Sequence, residues 1–91
     1  MIKILKKDEQ FFEKNMSHTT LTEYHKTKDN SLRIAIFADK SFIAIETPKS
    51  LGIFQDLVLN KDARFELKNK TTETKKDGTV DHIKYFGIIN N

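Results

Sequence analysis

Cysteine and tryptophan are absent from this 91-residue chain, proline occurs once and glycine three times. Without cysteine there is no disulfide framework, no thiolate zinc site and no cysteine nucleophile, which suits a reducing compartment such as the cytoplasm. With so few glycines there is no G-x-G-x-x-G and no G-x-x-x-x-G-K, so no loop is built to cradle a nucleotide. No serine sits in a nucleophile elbow. No apolar run approaches the roughly 18 residues that span a bilayer. The opening MIKIL is too short for a signal-peptide core and runs straight into charge, so neither export nor a membrane partner is expected. The sequons at Asn15 and Asn69 then read as chance matches. His18, His25 and His82 lack a second histidine or a paired carboxylate at metal spacing, so no metal and no cofactor is expected.

What remains is one core's worth of apolar residues. The apolar fraction is 37%, with seven phenylalanines, and a chain of this length forms a single domain, residues 1–91, of modest stability. The net charge of +3 is local. Residues 61–76 hold Lys61, Arg64, Lys68, Lys70, Lys75 and Lys76 against Asp62, Glu66 and Glu73, while the rest of the chain is balanced. Charge this local acts over about a Debye length, ~8–10 Å. Fourteen lysines against two arginines, with plentiful Ile, Asn and Thr, is the usage of an AT-rich genome. In size and composition the chain resembles a small accessory protein of a phage or mobile element.

The patterning predicts an α+β fold: an antiparallel sheet of about five strands, with one or two short helices packed on one face. MIKIL reads as a short strand. Asp8 then caps a helix of about ten residues carrying Phe11, Phe12 and Met16. Residues 19–27, TTLTEYHKT, form an exposed or edge strand. The first hairpin spans 32–47. A two-residue turn at Asp39-Lys40 pairs Phe37 with Phe42, Ile36 with Ile43 and Arg33 with Glu46, the last as an ion pair. Thr47-Pro48 opens a helix with a Leu51, Phe54 and Val58 stripe that ends at a turn at 60–62. A strand at 48–58 is the alternative and would make a mostly-β barrel. The second hairpin spans 63–89. A three-residue loop, Lys76-Asp77-Gly78 with Gly78 left-handed, pairs Phe65 with Ile89, Leu67 with Gly87, Asn69 with Tyr85 and Thr71 with Ile83. A two-residue loop would instead set Thr72 against Ile83 and Lys70 against Tyr85.

The three-residue register collects Arg64, Lys68 and Lys70 on one strand beside His82, Lys84 and Phe86 on its neighbour, with Lys70 opposite Lys84 and Lys68 opposite Phe86. Like charges across a ladder cost up to ~1 kcal/mol, which an anionic partner would relieve. Arms of about twelve residues at ~3.3 Å each would carry the tip, with Lys75 and Lys76, beyond the body. These residues are the expected contact surface. The expected function is that of a non-enzymatic binding protein that modulates a host protein or protein–nucleic acid complex. RNA or DNA binding on the same basic face is the alternative, since lysines neutralise phosphates and an aromatic ring stacks bases. A small metal-independent ribonuclease using His25 and His82 is a third reading. Exposed ends of the isoleucine-rich hairpin leave homodimerisation open, although burial under the helices is favoured.

Overall fold

The computed structural model describes residues 3–61 and 64–90, apart from the side chain of Leu57. The fold is α+β. Helix α1 (Lys6–Asn15) precedes strands β1 (Leu21–Lys26), β2 (Leu32–Phe37) and β3 (Ser41–Glu46). A covering segment follows, then the long strands β4 (Phe65–Thr74) and β5 (Val80–Ile89). All five strands form one antiparallel sheet in the order β1-β2-β3-β5-β4. The expected edge strand at 19–27 is β1. Of the strand expected at the N terminus, Met1 and Ile2 lie outside the described residues, and Lys3–Leu5 join no sheet.

Hairpin loops β1–β2, β2–β3 and β4–β5 share one chemistry. Each places an aspartate before a left-handed residue and then Ser or Thr: Asp29-Asn30-Ser31, Asp39-Lys40-Ser41 and Asp77-Gly78-Thr79, with φ of 63°, 73° and 88° at the middle position. The aspartate Oδ1 accepts the backbone N–H two residues on, at 3.0, 2.9 and 3.0 Å. This is an Asx turn closing a left-handed corner. The loop Lys76-Asp77-Gly78 is therefore the three-residue one expected. The β2–β3 loop, Ala38-Asp39-Lys40, is three residues too: Lys40 is left-handed but Asp39 is not, whereas both two-residue primed turns need positive φ at Asp39.

That extra loop residue corrects the first hairpin. Ile36 pairs with Phe42, Ala35 with Ile43 and Leu32 with Glu46. A slip of one residue moves every side chain of β3 to the other face. Phe42, Ala44 and Glu46 join Leu32 and Ile36, whereas Ile43 and Ile45 join Ala35 and Phe37. Arg33 and Glu46 thus lie on opposite faces and do not pair.

Both faces are covered, so the helical segments do not share one. On the first face, Phe12 of α1 packs on Phe37 at 5.6 Å between ring centroids and on Tyr24 at 6.3 Å. Asp8 is not a cap. It is the third residue of the helix, 1% exposed, and takes Arg33 Nε at 3.0 Å, Arg33 Nη2 at 3.1 Å and the Tyr24 hydroxyl at 2.6 Å. On the second face runs the segment from Thr47, helical as expected but broken. A 3-10 turn at Pro48–Ser50 and a π-helical turn at Phe54–Leu59 flank Gly52, whose φ is +91°. Leu51 is left exposed, so the expected stripe keeps only Phe54 and Val58. Asn60 and Lys61 turn as expected; Asp62 lies outside the described residues, as does Ala63, the expected start of the second hairpin. Phe54, fully buried, packs on Tyr85, Phe42 and Phe65. Glu46, also fully buried, accepts Gly52 N–H at 3.1 Å, Phe54 N–H at 2.8 Å and the Tyr85 hydroxyl at 3.0 Å.

The second hairpin uses both registers weighed from the sequence. Phe65 pairs with Ile89 and Leu67 with Gly87, as expected. A bulge at Lys68 then shifts the ladder, so that Lys70 faces Tyr85, Thr71 faces Lys84 and Thr72 faces Ile83. A second bulge, at Asp81 on the opposite arm, returns the pairing to Thr74 with Val80. The expected pairs Asn69–Tyr85 and Thr71–Ile83 do not form. Gly87 has a separate role: a Cβ there would meet the Glu66 carbonyl and the Phe42 ring, at 2.6 Å for the nearest ring atom.

Candidate functional site

The bulge at Lys68 disperses the expected basic face. Lys70 sits on the face of the covering segment, its Nζ 5.9 Å from the Tyr85 ring centroid, away from Lys84. Lys68 is held 2.6 Å from Glu66, which lowers the Glu66 pKa chiefly through their hydrogen bond. Arg64 stacks over the Phe65 ring at 5.3 Å. Lys75 flanks the apical loop and Lys76 belongs to it. Phe86 is half-buried against Phe11, at 6.3 Å between centroids, rather than free to stack a base. His25 lies beside Ile34 and Leu32 on one face, while His82 lies on the other, with two strands between them. The pair that a ribonuclease would need does not converge.

What does converge is a cleft on the α1 side of the sheet. Strand alternation directs His82, Lys84 and Phe86 toward the helix, and helical spacing sets Lys7 and Phe11 on one stripe facing them. The cleft holds about 400 Å³ between Lys7, Asp8 and Phe11 of α1, Arg33, Ile45, Thr47, and Asp81, His82 and Lys84 of β5. Lys84 is 22% exposed. Its Nζ stands 4.8 Å from the Phe11 centroid, a cation–π contact, and 3.7 Å from Glu73.

Comparison with protein-family models, curated proteins and solved structures finds no match to this chain.

The charges of the cleft fall into two sets. Asp8 and Arg33 neutralise each other in the floor, and the remaining guanidinium contact goes from Nη1 to the Asn30 carbonyl at 2.8 Å. At the rim, the Asp81 carboxylate takes His82 Nδ1 at 2.6 Å, and its pKa is lowered first by that hydrogen bond and then by the charges of His82, Lys75 and Lys7. Lys75 from the tip and Lys7 from the helix therefore act on one carboxylate. The rim sets three lysines and a histidine against Asp81 and Glu73. It is cationic at short range, with one wall of aromatic carbon.

Of these residues, His82, Lys84, Lys75 and Phe86 were legible from the hairpin. Lys7, Phe11 and Arg33 were missed. Their signal was the i, i+4 spacing of Lys7 and Phe11, which puts a cation and an aromatic on one side of a helix otherwise read for its core. Among the described residues no group of three histidine or acidic side chains could hold a metal, and no helix is long and apolar enough to cross a membrane.

Proposed function

We propose that this chain is a non-enzymatic binding protein whose contact surface is the second hairpin and the cationic cleft at its root. The cleft carries the reading: Lys7, Lys84 and His82 line it beside the Phe11 and Phe86 rings, and the charge of Lys75 acts on the Asp81 carboxylate at its rim. Its chemistry suits a carboxylate presented on a protein surface, next to an apolar group that the aromatic wall can cover. A phosphate backbone suits it less well. Asp81 and Glu73 interrupt the lysines, and Lys70 points to the opposite face, so no continuous basic track forms. Because both sheet faces are covered, a macromolecule meets the flanks of the covering helix, the sheet edges and the tip. Past the end of β3 at Glu46, two further rungs of the β4–β5 ladder and the apical loop extend beyond the central strands. The composition supports a phage or mobile-element factor that acts on an intracellular host protein or complex by occupying its surface.

The test is capture from host lysate by the immobilised chain, with and without nuclease. A nuclease-resistant protein should be retained by the parent and by Lys68→Glu/Lys70→Glu, and lost from Lys7→Glu/Lys75→Glu. Recovery of only nuclease-sensitive material would favour the nucleic-acid alternative. Equal capture by all three forms would remove the cleft from the reading.

A further inference from the structure

The other flank of α1 carries a groove of opposite character. Helical spacing puts Glu9, Phe12, Glu13 and Met16 on one stripe. With Ile4, Leu21 and Phe37 they enclose about 490 Å³, within the ~300–1,000 Å³ typical of sites that take ligands or anchoring side chains. The floor is carbon: Phe12 and Phe37 meet edge to face, and Met16 and Leu21 are half-buried beside them. The rim is acidic. Glu9 and Glu13 stand one helical turn apart, an arrangement that by itself weakens a helix by a few tenths of a kcal/mol. Neither has an ion-pair partner among the described residues. In a chain of net charge +3, two uncompensated carboxylates over an apolar hollow mark the one complement the groove lacks, a cation joined to an apolar group.

We infer that this groove is a second docking site, for a protein segment that inserts one large apolar side chain and places a flanking Lys or Arg between Glu9 and Glu13. The apolar anchor supplies most of the affinity by leaving water. The acid pair supplies selectivity, because a segment with acidic flanks meets repulsion. Helix α1 then offers opposite signs of charge on its two flanks, and a partner that uses both binds in one orientation.

Two tetrapeptides test this without reference to the basic cleft: acetyl-Lys-Leu-Phe-Lys-amide and its charge-reversed counterpart acetyl-Glu-Leu-Phe-Glu-amide, each titrated into isotope-labelled protein and followed by NMR. The lysine peptide should shift the methyl signals of Ile4, Met16 and Leu21, and the glutamate peptide should bind that site about fivefold more weakly. Glu9→Gln/Glu13→Gln should keep its melting temperature and lose the preference. Lys7→Glu/Lys75→Glu should keep both binding and preference, so this inference fails or stands apart from the cleft. Equal shifts by the two peptides, shifts confined to other residues, or a preference that survives the glutamine variant would overturn it.

Discussion

Asp8 and Glu46 are 1% and 0% exposed, and each is fully supplied with donors. Asp8 faces a buried guanidinium, so Asp8→Asn leaves Arg33 charged and unpaired, a loss of about 3–5 kcal/mol in urea unfolding. Tyr24→Phe removes a single hydrogen bond to a charged acceptor and should cost about 1.5–3 kcal/mol. If Asp8→Asn cost no more than Tyr24→Phe, the ion pair would not be what fixes α1 to the sheet. The loop aspartates act differently because they are solvated. Asp29 is lowered from 3.8 to about 2, first by the Ser31 hydroxyl, then by the Ser31 N–H and the Thr27 hydroxyl. A carboxyl held below its unfolded value contributes stability at pH above that value, and the contribution is lost as the pH falls through the folded one. The window for Asp29 thus runs from near 4 down to about 2. A carboxyl NMR titration should place its midpoint near 2, and Ser31→Ala should move it back toward 3.8. A midpoint indifferent to this change would show that the Ser31 N–H of the Asx turn, which alanine keeps, and not the hydroxyl, holds the carboxyl down.

At the scale of elements, the sequence was most readable where alternation and loop chemistry agreed. The strands, the two hairpins, helix α1 and the Gly78 loop follow from Ile/Phe alternation, the Phe12/Met16 spacing and glycine's freedom at positive φ. The β2–β3 register was lost because a lysine in a left-handed corner has no strong signature. The recurring Asp-x-Ser/Thr was the signal available, and matching Asp39-Lys40-Ser41 to Asp77-Gly78-Thr79 recovers it. The β4–β5 register could not be chosen from pattern because the chain uses two registers, switching at Lys68 and back at Asp81. The candidate site depended on that choice, which is why Lys70 was placed beside Lys84. The two bulges sit on opposite arms, so their extra residues cancel before the loop. Deleting Lys68 alone, or Asp81 alone, removes one unpaired residue and keeps every cross-strand pair and the loop. If the bulges only absorb extra residues, each single deletion and the double deletion should hold the melting temperature within a few degrees. A large fall from any of the three would show that the bulges bend the hairpin in a way the fold requires.

Over the whole molecule, one sheet separates two cores that share its central strands and little else. The Arg33 network opens toward α1, and the Glu46 network opens toward the covering segment. Changes with no shared partner add within about 0.3–0.5 kcal/mol. Asp8→Asn and Glu46→Gln should therefore lower stability additively, and a coupling energy above 1 kcal/mol in the double-mutant cycle would mean that strain crosses the sheet. If the two sides are insulated, α1 is free to diverge. Under the binding role proposed above, substitutions on its two flanks would change what the protein attaches to while the Phe54 side preserves the fold. Such a small domain would then follow a drifting target by rewriting one helix, with the opposite core acting as ballast.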